Sequence, residues 1–166
     1  MAVKFLIASA MAMAVRQVPY YVPARSGPLV AQSIDNLDMQ AAPIDPSWVL
    51  SGAPKARLAL HSRSNDDAAT TAVWDCTAGE FRWYFGWDET VVILEGSVHV
   101  TAEDGSEQTL RAGDIGYFSG DTWATWRIDD YVRKVAFCRK QFPAPIALAY
   151  KVRDMLRGGL RGGLAA

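Results

Sequence analysis

The sequence predicts an all-β fold, an antiparallel barrel or sandwich, with an N-terminal arm before it and one helix after it. Three observations carry this expectation. Short runs rich in β-branched and aromatic residues recur at about ten-residue spacing between Trp48 and Cys138, the rhythm of an antiparallel all-β domain. Glycine and aspartate turn signals separate the runs, as in Asp104-Gly105, where glycine accepts a positive φ. No helical periodicity interrupts them, whereas the last stretch shows it plainly.

Along the chain, residues 1–46 read as an apolar helix followed by an arm. Phe5 to Val15 is an apolar run too short to span a bilayer as a helix. Pro19, Pro23, Pro28, Pro43 and Pro46 then break both helices and central strands. Ala12-Met13-Ala14 has the small-residue form of a signal-peptidase site, but a signal ending at Ala14 would be unusually short, so a cytoplasmic location is the expectation and export the alternative.

Residues 47–141 read as the barrel. Nine runs are strand candidates: Ala56 to Arg63, Thr71 to Cys76, Phe81 to Phe85, Thr90 to Leu94, Ser97 to Ala102, Glu107 to Arg111, Ile115 to Phe118, Trp123 to Ile128 and Tyr131 to Cys138. Glu95-Gly96 and Ala112-Gly113-Asp114 read as turns. Val91, Ile93, Val98 and Val100 are expected on one buried face across the Gly96 turn. Residues 142–166 read as a helix from Pro145 to Arg157 and a tail. Leu148, Val152, Met155 and Leu156 share a face, which should pack on the barrel or on a second copy. Gly158-Gly159 ends it.

Composition narrows the function classes. The 166 residues are 50% hydrophobic and 21% charged, and the net charge of −1 gives no basic surface for nucleic acid. The basic C-terminal helix could lie on a membrane surface, but packing on the barrel or on a second copy is the expectation. Cys76 and Cys138 read as free thiols in a reducing compartment rather than a disulfide.

The middle of the chain resembles the cupin superfamily, in particular the small uncharacterised cupins related to (S)-ureidoglycine aminohydrolase. Three stretches carry the likeness: Trp74 to Trp83, Asp88 to Gly96, and Leu110 to Phe118 followed by Ala124-Thr125-Trp126 and Val132-Arg133-Lys134. The resemblance implies a jelly-roll barrel, a double-stranded β-helix, that associates as a homodimer. It also implies a metal site, and here the chain departs from the pattern. Metal-binding cupins use a His-x-His pair, a Glu and a further His, donors suited to divalent transition metals. Glu89 stands at the glutamate position, but Arg82, Trp83, Tyr84 and Phe85 occupy the first histidine region and Ala124 the last. His61 and His99 are the chain's two histidines, and His99 alternates away from Val98 and Val100, outward. The expectation is no metal and no cofactor.

The candidate site residues follow from alternation. Glu89 shares parity with Val91 and Ile93, so it should face inward, where a carboxylate needs a partner or a ligand. Arg82, Arg127 and Lys134 are the candidate partners, and Lys134 shares parity with Val132 and Ala136. Glu89 and Lys134 are therefore the candidate catalytic or anchoring pair. Trp83, Tyr84, Tyr117, Trp123 and Trp126 are the candidate aromatic lining, with Trp83 favoured over its neighbour Tyr84 for the inner face. Asp75, Asp88, Asp114 and Asp121 read as turn residues. Two function classes stay open: a metal-independent module that binds a small polar metabolite, and an aminohydrolase- or isomerase-like enzyme acting on one.

Overall fold

A computed structural model of the protein describes residues 27–156. Among them eight strands form one antiparallel hydrogen-bonded system: β1 (Gln40–Ala41), β2 (Val49–Gly52), β3 (Ala56–Arg63), β4 (Ala69–Phe85), β5 (Asp88–Ala102), β6 (Glu107–Arg111), β7 (Ile115–Phe118) and β8 (Thr122–Arg139). One helix, α1 (Ala144–Leu156), follows. The proposed helix at residues 5–15 and the proposed signal site lie outside the described residues.

Three pairs of expected strands are single long strands. The runs flanking Thr77–Glu80, Glu95-Gly96 and Asp129-Asp130 merge into β4, β5 and β8. Irregularities replace the expected turns: the ladder register breaks between Thr77 and Gly79, between Ile93 and Glu95, and between Gly96 and His99. A bulge adds a residue without ending the strand. This is why buried residues switch from Val91 and Ile93 to Val98 and Val100. All four are buried, but Gly96 is a corner within β5, not a hairpin turn.

The corners divide the long strands between two sheets. The first half of β5 pairs with β7 and with the second half of β8, and its second half pairs with β6 and with the first half of β8. Sheet I is thus β1, β3, the first half of β4, the second half of β8, the first half of β5, and β7. Sheet II is β2, the remaining halves of β4, β8 and β5, and β6. The turn at Ala112–Asp114 locks the switch: Gly113 N–H donates to the Ile93 carbonyl and Ile93 N–H to that of Asp114. The result is a jelly-roll barrel.

The core lies between the sheets. Trp74, Cys76, Val91, Ile93 and Val132 come from sheet I, and Phe81, Phe85, Val98, Leu110 and Trp126 from sheet II. Phe85 stacks on Phe118 at 4.3 Å between ring centroids, and Trp74 meets Trp126 edge-on at 6.0 Å. Rings in such offset or edge arrangements bury large apolar areas with favourable quadrupole contacts.

Two further expectations are corrected. Asp75 is not a turn residue: it is buried mid-strand in β4, where Arg57 donates to both of its carboxylate oxygens at 3.0 and 2.6 Å and Tyr131 donates its hydroxyl. Of the two surfaces expected to cover the α1 face, the barrel is not the one: Leu148, Val152 and Met155 are exposed on the single chain. The helix begins one residue before its expected start, at Ala144. Among the described residues no helix is long and apolar enough to cross a membrane.

Candidate functional site

Cross-strand register builds the interior site. Lys134 lies opposite Trp74 on β4 and Ile93 on β5, on the inner face of sheet I. Glu89 lies opposite Cys138 on the same face. Lys134 Nζ donates to Glu89 Oε1 at 2.6 Å. Their side chains are 5% and 13% exposed, so the pair is almost withdrawn from water and only the carboxylate keeps a solvent edge. Withdrawing two charges is costly, and close charge-assisted geometry is what offsets it.

Two indoles hold the ammonium from opposite sheets. Lys134 Nζ lies 4.5 Å from the Trp126 ring centroid and 5.1 Å from that of Trp74. Each contact of this kind contributes about 0.5–2 kcal/mol, more when desolvated. The Nε1 atoms of both Trp74 and Trp126 are buried with no hydrogen-bond partner. Buried donors are nearly always paired, so two orphans beside one ion pair mark a place with hydrogen-bonding capacity to spare. Of the three candidate partners, Lys134 is the one Glu89 takes; Arg82 and Arg127 are exposed, on strand positions that point away from the core.

The aromatic candidates divide. Trp126 is buried at the pair, and Trp83, on the parity of Phe81 and Phe85, lies 6.0 Å from Trp74. Tyr84 and Trp123 sit opposite one another on the outer face of sheet II, 5.1 Å apart, with Arg82 stacked over Trp123 at 4.6 Å. Tyr84 O–H donates to Asp121, which raises its pKa. The expectation that Tyr117 lines the interior is corrected: it lies opposite Thr90, one position off the Glu89–Phe118 pair, and is exposed on the outer face of sheet I. Two further tryptophans, absent from the sequence expectation, complete the cluster: Trp74 beside the ammonium, and half-buried Trp48, which meets both Trp83 and Trp123 edge-on at 5.9 and 5.1 Å.

Cys138 adjoins the pair but is no nucleophile. Burial, then the neighbouring Glu89 carboxylate, pushes its thiol up to about 12, and burial pushes Cys76 up to about 12 as well. Both are free thiols. The thiolate is the reactive form, so fully buried Cys76 should react with Ellman's reagent at pH 8 only as fast as the protein unfolds, and fast labelling of this residue in the native state would refute this. The folded state holds these protons more tightly than the unfolded chain. Their contribution to stability is therefore complete below about pH 8.5 and declines as pH rises from there towards 12, which denaturant titrations across that range would show.

A recess lies outside the barrel. The outer face of sheet II forms an open trough of about 740 Å³, lined by Glu80 of β4, Arg127 of β8, His99 and Thr101 of β5, and Glu107 and Arg111 of β6. His99 points outward, as alternation predicts. One of its ring nitrogens lies 2.8 Å from Thr109 Oγ1 and the other 2.9 Å from Asp129 Oδ2. Among the described residues no three metal-ligating side chains come together.

The fold is that of the cupin jelly-roll barrels, and residues 63–136 match the model of the EutQ-like cupin domain. A Pseudomonas syringae pv. tomato protein of unknown function from the DUF861 family is similar in structure, with a TM-score of 0.56 and 26% identity over 60% of this chain and 43% of that one. The chain thus spans less than half the length of that relative. The cupin domain of Schizosaccharomyces pombe Cnp3 shares the fold, with a TM-score of 0.53 and 11% identity over 82% of this chain and 85% of that domain. A Thermotoga maritima DUF861 family protein is 38% identical over 39% of this chain and 73% of its own, with a TM-score of 0.37. No curated protein matches the chain.

Proposed function

We propose that the protein is a metal-independent cupin that binds a small polar metabolite inside the barrel, with Glu89 and Lys134 as its polar anchors and Trp74, Trp83 and Trp126 as walls. The observation that carries this reading is the ion pair at 2.6 Å flanked by two buried indole N–H groups without partners. A bound carboxylate, ureide or amine would engage the charges and satisfy the indoles. A thermal-shift screen of such compounds, followed by calorimetry, tests it. Glu89→Gln keeps the shape and removes the charge, so it should weaken a hit about tenfold or more while the fold survives; unchanged affinity would refute the site.

A base and an acid in contact also favour a second reading, an aminohydrolase- or isomerase-like enzyme in which the pair moves a proton on the same metabolite. Turnover of a hit, lost in Glu89→Gln, would distinguish it from a binding module. Both readings are metal-independent, because the resemblance puts the imidazole positions among Arg82, Trp83, Tyr84 and Phe85 and near Ala124, none of which can replace a histidine ligand. Elemental analysis of purified protein should find no stoichiometric manganese, iron, nickel or zinc. About one ion per chain, lost in Glu89→Ala, would overturn this.

The free thiols fit a reducing, cytoplasmic setting. Association as a homodimer has support on the outer face of sheet I. Ile115, Tyr117 and Phe137 are exposed there, in ladder rows with Val92, Thr90 and Val135. Adjoining exposed apolar side chains of this kind mark contact surfaces. Light scattering at micromolar concentration should give twice the chain mass, and a monomer would sink the idea.

A further inference from the structure

The trough on sheet II is separate from the barrel interior, and its chemistry points to a different ligand. We propose that it binds a neutral, extended, polyhydroxylated molecule, an oligosaccharide. The charges lining it balance: Arg111 and Arg127 against Glu80 and Glu107. A net anion or cation gains nothing from such a floor, whereas a neutral ligand with alternating donors and acceptors meets a partner at each step. The hydroxyls of Thr101, Thr109 and Thr125 lie among the charges and both donate and accept.

The floor is also held in place. The ladder aligns Glu80, Arg127, His99 and Thr109 in one row across four strands. His99 is fixed by Thr109 and Asp129, and Asp129 lies 3.9 Å from the Arg127 guanidinium. Ser51 Oγ donates to Glu80 at 3.4 Å. Side chains already ordered lose little entropy on binding. An ordinary solvated sheet face is polar too, but this one is recessed. Trp123 and Tyr84 stand at one end of the same face, with Arg82 stacked over Trp123. The open, four-strand span suits a chain of sugar rings better than a single ring.

The test is amide NMR of the full chain titrated with cellotetraose, maltotetraose and chitotetraose, with inorganic phosphate as the charged comparison. Saturable shifts at His99, Thr101 and Arg127 with at least one tetraose, absent with phosphate, are expected. Thr101→Trp should fill the trough and abolish them, and Arg127→Ala should weaken binding about tenfold or more. Both substitutions are on the outer face, and an unchanged remainder of the spectrum reports an intact fold. Glu89→Gln should leave this binding untouched, which separates it from the interior site. Silence with all three sugars, shifts with phosphate alone, or sugar binding that survives Thr101→Trp would each overturn the proposal.

Discussion

Lys134→Met is expected to lower the unfolding free energy by about 3–5 kcal/mol, the scale for stranding one member of a buried ion pair. Methionine keeps nearly the length of the lysine stem, so little of the loss comes from a cavity. It removes the donor 2.6 Å from Glu89 and the cation between Trp74 and Trp126, and leaves a carboxylate with a 13% exposed side chain among apolar groups. Urea unfolding followed by tryptophan fluorescence measures the change. The double variant Glu89→Leu/Lys134→Met tests the cause. If the loss comes from the unpaired charge, the second substitution should restore most of it, because an apolar pair of similar volume carries no desolvation cost. A single variant that loses less than about 1 kcal/mol would show that the pair stays solvated and that its 2.6 Å contact is a surface interaction.

Gly96→Ala should be comparably damaging for a different reason. Gly96 has φ +71° at the corner of β5, and a Cβ there would overlap the carbonyl oxygen of Tyr131 on β8. Left-handed strain in a non-glycine residue costs about 1–3 kcal/mol, and the overlap with rigid backbone adds to it. A total of ~3 kcal/mol or more is expected, together with disturbance of the β5–β8 crossing. Gly105→Ala is the control. It has φ +83° but nothing within 4 Å of its Cβ, so it carries the strain alone. Thermal melts in which the two variants shift equally would show that β8 yields at the corner.

These two sites show what could be seen in the sequence. Strand alternation placed Glu89 and Lys134 on inner faces because the side-chain period of two needs no knowledge of the partner strand. The same logic turned His99 outward and favoured Trp83 over Tyr84. It failed wherever a bulge intervened. The corner at Glu95-Gly96 read as a turn, since glycine signals a positive φ in either setting and the local sequence does not say whether the chain reverses. Tyr117 was misplaced because β7 is only four residues long, with no apolar alternation of its own to set its parity.

Sequence by itself determined the all-β class and the parity of the interior pair. Both follow from residue identity and short-range periodicity. The tertiary structure decided the rest. It chose Lys134 over Arg82 and Arg127, and it brought Trp126 from sheet II to face Trp74 of sheet I across the ammonium. It divided the aromatic candidates between the core and two outer faces, and it shaped the trough beneath His99. All of these depend on which residues of β4, β5 and β8 lie opposite one another once the strands bend at their corners. That register is set by packing between residues some 40 to 60 positions apart, such as Glu89 with Lys134 and Trp74 with Lys134, a separation over which local sequence carries no geometric signal.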